Sequence, residues 1–229
     1  MKQRLLTAAV GIPVFIGIVI SPPIVLAVVT VVLFVIALDE VRRGLPKAEL
    51  PLTAIQKLLI WLYPLLIFNL AILRSVSRGN MFSGTVDIGA RLFLCAVFSV
   101  WSTDSFAYFG GKAFGKRKLA PTVSPNKTVE GSLIGAACGI GIGTLFGVLL
   151  LHSAMLGFII GIVGGFAGQV GDLLESAIKR RLGIKDFGGL LPGHGGVLDR
   201  FDSLMVVCTL LVIAFQIPAI CDLLPLVYR

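Results

Sequence analysis

The chain has 229 residues, of which 56% are hydrophobic and 14% charged, and its formal net charge is +8. A soluble domain of this length has about 25% charged residues, so the composition excludes an ordinary soluble protein. The apolar stretches are continuous and do not alternate with polar residues, which excludes a transmembrane β-barrel. We therefore predict an all-α, polytopic membrane protein.

Seven apolar segments approach the length of about 17–25 residues that a membrane-spanning helix needs. The first follows a basic N-terminus like that of a signal peptide, but no small-residue cleavage site follows it, so we expect a retained helix. We expect a single membrane domain over residues 1–229, with N-terminal helices over 1–100, a catalytic core over 101–203 and a last helix over 204–229. The predicted segments are residues 5–20, 24–38, 57–73, 90–110, 131–151, 154–171 and 203–221.

The positions of the basic residues predict the orientation of these helices. If the N-terminus is cytoplasmic, 16 of the 20 Lys and Arg residues fall on the cytoplasmic side. Such a bias is the usual rule for helical membrane proteins, and it explains the net charge without nucleic-acid binding. Both long polar loops, around residues 109–132 and 176–203, then face the cytoplasm.

Glycines recur every four residues in the fifth and sixth segments. Small residues at this spacing let helix backbones approach closely, so tight helix packing is the predicted role. A passage for lipid along the resulting groove is the alternative. The repeating glycines are Gly131, Gly135, Gly139, Gly143 and Gly147, then Gly157, Gly161 and Gly165.

The polar block over residues 176–203 is the main candidate site, because charge placed against a membrane is costly. Just before and within it, Asp172, Ser176 and Lys179 are spaced by four and three residues, which places them on one helix face. An anion, a hydroxyl and a cation on one face can hold a metal and a phosphate together. The alternative is a helix end with a Glu175–Lys179 ion pair.

A glycine-rich stretch follows, in which backbone N–H groups could approach a bound anion. Lys185, Gly195 and Gly196 are candidate binding residues in it. His194 is either a phosphate contact or proton donor, or a solvated loop histidine.

Asp199 and Asp202 are three residues apart and therefore adjacent on a helix. Two carboxylates about 4 Å apart repel by about 4 kcal/mol at an effective dielectric of roughly 20, which a divalent cation would relieve. Oxygen-only ligands favour Mg²⁺, and Asp172 could complete the site. The alternative is a pair of helix caps with an Asp–Arg200 salt bridge.

The other long loop offers a second set of candidates. Its basic residues could bind phosphates or anionic lipid headgroups, or could simply follow the positive-inside rule. We predict that a rigid proline turn over residues 124–128 presents Ser124, Asn126, Lys127 and Thr128. Asp104 lies among apolar residues, so we expect it to face the site or to pair with a base. The basic residues in question are Lys112, Lys116, Arg117 and Lys118.

Two long motifs resemble the bacterial phosphatidate cytidylyltransferase (CDP-diacylglycerol synthase) family. One runs from Ser176 through Lys179, Arg180, Lys185 and Asp186 to PGHGG and then Asp199, Arg200 and Asp202. The other is KLAPTVSPNKTVEG, residues 118–131, and a shorter match lies at the N-terminus. One departure is Phe187, which stands where the family usually has a small residue.

The resemblance implies a Mg²⁺-dependent nucleotidyltransferase that converts CTP and phosphatidic acid to CDP-diacylglycerol and pyrophosphate. It implies a multi-pass protein of the bacterial inner membrane with a cytoplasmic site. The implied partners are CTP, phosphatidic acid and the bilayer, with a homodimer as a possible assembly and without nucleic acid. The resemblance also allows a second cation beside the first. The implied catalytic residues are Lys179, Arg180, Asp199, Arg200 and Asp202; the binding residues are Ser124, Asn126, Lys127, Ser176, Lys185, His194, Gly195 and Gly196; the metal ligands are Asp172, Asp199 and Asp202.

Two other functions remain open on the sequence. A polyprenol kinase-like enzyme would also use CTP at a membrane but would release CDP. A transporter or lipid flippase should carry its polar residues on broken helices near mid-membrane. Here most polar residues fall in the predicted cytoplasmic loops.

Overall fold

The computed structural model describes residues 2–48, 51–76, 87–189 and 195–216, with side chains from residue 9 onwards. Helices dominate these ranges, and one short hairpin interrupts them. The helices are α1 (Lys2–Ile20), α2 (Pro23–Gly44), α3 (Ala54–Leu62), α4 (Phe68–Arg74), α5 (Ile88–Phe114), α6 (Val129–Leu151), α7 (Ala154–Ile162), α8 (Gly168–Arg181) and α9 (Leu198–Ala214), and the strands are β1 (Lys118–Ala120) and β2 (Ser124–Thr128).

Within the described residues the helices form seven segments, and each overlaps one of the seven apolar segments predicted from the sequence. Residues 217–221 of the last predicted segment lie outside the described residues. A 3₁₀ turn over Tyr63–Ile67 joins α3 to α4, and a π-helical turn over Val163–Ala167 joins α7 to α8. Within the described ranges, five segments have the length and hydropathy of membrane spans. The fold is thus a polytopic helical membrane protein, as predicted. The five spans are Pro23–Lys47, Ala54–Arg74, Ile88–Phe114, Val129–Leu151 and Ala154–Arg181.

The glycine repeat packs α6 against both of its neighbours. A Cβ atom at Gly135 would lie 2.6 Å from the carbonyl oxygen of Thr103 on α5, and one at Gly143 would lie 2.6 Å from the Cα of Gly161 on α7. No side chain fits at these positions, so the backbones are in direct contact. The packing role is confirmed, and a lipid groove along this face is excluded, because neighbouring backbone already fills it.

At one end of the bundle, Arg74 ties α4 to α1 and α5. Its side chain is only 2% exposed, and its Nη1 donates to both carboxylate oxygens of Asp87 at 2.7 and 2.9 Å. Its Nε and Nη2 donate to the carbonyls of Val19 and Ser21 at 2.7 and 2.6 Å. Asp87 also accepts from the N–H of Ala90 and so caps α5. This cluster fixes three helix ends together.

At the opposite end, β1 and β2 form an antiparallel hairpin between α5 and α6. The prediction of a proline turn over residues 124–128 is wrong, because these residues form β2 and the turn lies earlier, at residues 121–123. Pro125 is compatible with a strand here, since a two-stranded hairpin has only edge strands. Thr128 ends the hairpin and caps α6 by accepting from the N–H of Gly131.

Candidate functional site

A cavity of about 1010 Å³ opens where α8 ends, α9 begins and the hairpin folds back. One part of its wall is charged and the other is apolar, the latter formed by α1, α5 and α9. A cavity of this kind can hold a molecule with a charged head and a hydrocarbon tail. The charged wall includes Asp104, Lys127, Asp172, Glu175, Lys179, Asp199, Arg200 and Asp202, and the apolar wall includes Ile12, Phe15, Trp101 and Leu204.

The face of α8 predicted from the sequence points its acid and base into this cavity. Asp172 binds Lys127 of β2, with the Nζ 2.5 Å from Oδ2, and accepts from the hydroxyl of Ser176 at 3.3 Å. One turn further on, the Nζ of Lys179 lies 2.6 Å from Glu175 Oε2. The Glu175–Lys179 pair, considered above as the alternative, is therefore also present, and both features occur on one helix.

Lys179 is held between two carboxylates from different helices. Besides Glu175, its Nζ contacts Asp199 Oδ1 at 2.9 Å. The Glu175 side chain is 1% exposed, and its other oxygen has no hydrogen-bond partner among the described residues. The lysine is thereby fixed in place between the two carboxylates.

Asp199 joins α8, the following loop and α9. Its side chain is 3% exposed; Oδ1 binds Lys179, while Oδ2 accepts from the backbone N–H groups of Phe187 and Gly196 at 2.9 and 2.8 Å. Burial alone raises the pKa of this carboxyl, but the Lys179 ammonium and the Gly196 N–H outweigh it and hold the pKa below its usual value. The described ion pairs place Asp199 with Lys179 rather than with Arg200.

The other carboxylates, Asp202 and Asp104, line the same cavity. Asp202 lies one turn along α9 and accepts from the N–H of Ser203 at 2.7 Å. Asp104 on α5 faces the same cavity, as expected from the sequence. In the parts of the chain that the structure describes, no three His, Cys, Asp or Glu residues are grouped as metal ligands.

The hairpin brings part of the second loop to the site. Asn126 and Lys127 line the cavity, and so does Lys112 at the end of α5. Arg180 instead donates from its Nε to the carbonyl of Val123 at 3.2 Å, which docks the hairpin turn onto α8. Arg117 pairs with Glu130 at 3.0 Å.

Several predicted site residues lie beside the cavity rather than in its wall. The hydroxyl of Ser176 donates to Asp172, and the N–H of Gly196 donates to Asp199. Gly195 adopts a φ of +83°, which favours glycine. His194 lies outside the described residues. Among the described residues, those predicted for the site that do not line the cavity are Ser124, Ser176, Arg180, Lys185, Gly195 and Gly196.

Two residues near the site were not predicted from the sequence. Glu40 of α2 is buried, and its carboxylate accepts from the N–H groups of Val197 and Leu198. Gln169 lines the cavity, and its Oε1 accepts from the hydroxyl of Ser132 at 2.5 Å. Glu40 lies two residues beyond the predicted apolar segment 24–38 and next to Asp39, so its local sequence resembles the polar end of a span and gives no signal of this contact.

Comparisons with known proteins agree with the resemblance in the two motifs. Residues 45–218 match the model of the Cytidylyltransferase family. The phosphatidate cytidylyltransferase of Staphylococcus epidermidis is 47% identical over 132 residues, which cover 57% of this chain and 51% of the relative. That of Bacillus subtilis is 39% identical over 180 residues, which cover 72% of this chain and 66% of the relative.

The chain spans about half the length of the Staphylococcus relatives that it matches. The match of residues 45–218 covers α3 to α9, and with them the hairpin and every charged residue named in the cavity wall. This chain therefore belongs to the cytidylyltransferase family.

Proposed function

We propose that the protein is a phosphatidate cytidylyltransferase, which transfers CMP from CTP to phosphatidic acid and gives CDP-diacylglycerol and pyrophosphate. The observation that carries the proposal is that one cavity has both a charged wall and an apolar wall. The charged wall suits the phosphates of both CTP and phosphatidic acid. The apolar wall suits the two acyl chains, which only phosphatidic acid carries. The names of the Staphylococcus and Bacillus relatives support the same reaction.

In the proposed reaction, an oxygen of the lipid phosphate attacks the α-phosphorus of CTP. A new P–O bond forms, the bond between the α-phosphorus and its bridging oxygen to the β-phosphate breaks, and pyrophosphate leaves. The lipid phosphate is already ionised at neutral pH, so no general base is required. Positioning and charge neutralisation then supply the catalysis.

The cations of the cavity wall are suited to that neutralisation. Lys127, Lys179 and Arg200 line the cavity, and Lys127 and Lys179 are each paired with carboxylates. A base held in this way needs little reorganisation when a phosphate arrives. We infer that Lys179 and Arg200 contact the reacting phosphates, and that Lys127 with Asn126 binds either the triphosphate or the lipid phosphate. Arg180 acts indirectly by holding the hairpin.

The carboxylates of the cavity fit a magnesium ion. Mg²⁺ in proteins is commonly held by one or two carboxylates together with substrate phosphates, so a three-residue cluster is not needed. Asp172 and Asp202 offer such oxygens, and Glu175 Oε1, which has no hydrogen-bond partner in the described part of the chain, adds a buried acceptor nearby. Asp199, with three donors on its carboxylate, is less suited as a ligand. When bound, the ion would neutralise phosphate charge.

We further propose that the site faces the cytoplasm, where CTP is found. The structure places the hairpin, the end of α8 and the start of α9 at one end of the bundle, opposite the Arg74 cluster. The charge bias of the loops supports a cytoplasmic position for that end. A homodimer in the bacterial inner membrane stays a prediction.

A labelling experiment tests the reaction. Purified protein is incubated with phosphatidic acid, Mg²⁺ and CTP carrying ³²P at either the α- or the γ-position. We expect α-label in the lipid product and γ-label in pyrophosphate. Label from the γ-position in the lipid, with release of CDP, would instead identify a kinase and refute the proposal.

A further inference from the structure

Glu40 reaches from the N-terminal part of the chain to the start of the site helix. It lies near the end of α2 and is 5% exposed. Its contacts are Val197 and Leu198, which lie 157 and 158 positions further along the chain. Its Oε1 accepts from the N–H of Val197 at 2.8 Å, and its Oε2 accepts from the N–H of Leu198 at 3.0 Å. Both carboxylate oxygens are therefore used on one backbone turn.

This turn needs an acceptor from elsewhere. The first N–H groups of a helix have no partner within the helix, and a side chain just before it usually supplies one. At α9 the capping position is Val197, which has no side-chain hydrogen-bonding group. The Glu40 carboxylate takes over that role, and its negative charge suits the positive end of the helix dipole.

Two loop glycines leave room for the same carboxylate. A Cβ atom at Gly188 would lie 2.6 Å from Glu40 Oε1, and the three atoms nearest to it would all belong to Glu40. A Cβ at Gly196 would also collide with this carboxylate. At both positions, glycine leaves the space that the Glu40 carboxylate occupies.

We propose that Glu40 is a positioning residue for the transfer reaction, an inference that rests on the proposed function. It fixes the first turn of α9, which carries Asp199, and Asp199 in turn holds Lys179 in the cavity wall. Glu40 itself does not line the cavity in the described part of the chain. Its effect on the substrates must therefore pass through α9.

The test is a double-mutant cycle with Glu40→Ala and Gly188→Ala, together with Glu40→Gln. Gly189→Ala is the matched control, because a Cβ at Gly189 would meet nothing within 4 Å. For each purified variant, kcat, the KM for CTP and the melting temperature in detergent are measured, and kcat is expressed per folded molecule. A purely structural role would lower the melting temperature but leave kcat per folded molecule unchanged.

We expect Glu40→Ala to lower kcat by about ten- to a hundredfold, the loss typical when a group that orients a ligand is removed. Glu40→Gln should fall between Glu40→Ala and the wild type, because its amide oxygen can still accept one hydrogen bond. Gly188→Ala should lower kcat alone but add little to Glu40→Ala, since the colliding carboxylate is then gone.

An unchanged kcat per folded molecule in Glu40→Ala would overturn the proposal. The proposal would also be overturned if the fold-decrease in kcat of the double variant equalled the product of the decreases in Glu40→Ala and Gly188→Ala. If the wild type itself makes no CDP-diacylglycerol, the proposed function fails. In that case, the melting temperatures of the same cycle still report whether Glu40 and Gly188 are coupled.

Discussion

Replacing Asp199 by Asn tests the hydrogen-bond geometry at the centre of the site. The carboxylate accepts from three donors, namely Lys179 and the backbone N–H groups of Phe187 and Gly196. An amide of the same size has only one acceptor atom, so its NH₂ group must face at least one of these donors. If the oxygen keeps both backbone bonds, the contact with Lys179 is the one that is lost.

The expected loss follows from the strength of that contact. A hydrogen bond to a charged group contributes about 1.5–3 kcal/mol, and about 1.4 kcal/mol corresponds to a factor of ten. If the reaction depends on Lys179 in its present position, the rate should fall by roughly 10- to 150-fold. Membrane insertion should be unaffected, because the substitution lies at a helix end.

The assay is pyrophosphate release by purified protein in mixed micelles of detergent and phosphatidic acid. Asp39→Asn is the matched control, because Asp39 pairs with the exposed Arg43 at 2.5 Å. Exposed pairs of this kind contribute about 0–1 kcal/mol, so the control should stay close to the wild-type rate. Turnover of Asp199→Asn at the wild-type rate would refute the role given to the Asp199–Lys179 contact.

Two further predictions concern stability, read as melting temperature in detergent. Arg74→Met should destabilise the fold by about 3–5 kcal/mol, because it leaves the carboxylate of Asp87 without its buried partner; an unchanged melting temperature would show that the cluster does not hold the helix ends. Gly143→Ala should cost about 1–3 kcal/mol by overpacking against Gly161. Gly141→Ala is its control, since a Cβ there meets nothing within 4 Å, and equal melting temperatures for these two variants would contradict the packing described for α6.

The helical segments and the close packing of α6 could be predicted because both leave local patterns. A run of apolar residues of spanning length is itself the physical requirement for crossing a bilayer. The spacing of Gly135, Gly139 and Gly143 likewise predicts which face of α6 lacks side chains and can pack closely. The pairing of Asp172 with Ser176 follows from helix geometry in the same way.

Contacts between distant parts of the chain could not be predicted. Glu40 follows Asp39 and precedes two arginines, so locally it resembles the polar end of a span. Only the folded bundle brings it to the start of α9. Asp199 likewise has the spacing of a metal ligand with Asp202, while the structure shows three donors on its carboxylate. The hairpin was missed because Pro125 favours a turn unless the strand lies at an edge.

The most direct test of the central claim is a comparison of two neighbouring bases on α8. Lys179 lines the cavity, whereas Arg181 is exposed and, within the described residues, lies outside the cavity wall. Wild-type protein, Lys179→Met and Arg181→Met are each supplied with CTP, Mg²⁺ and phosphatidic acid in lipid nanodiscs, and both products are quantified. We predict equal amounts of CDP-diacylglycerol and pyrophosphate from wild type and Arg181→Met, and neither product from Lys179→Met. Equal product formation by all three proteins would contradict the assignment of the reaction to this cavity.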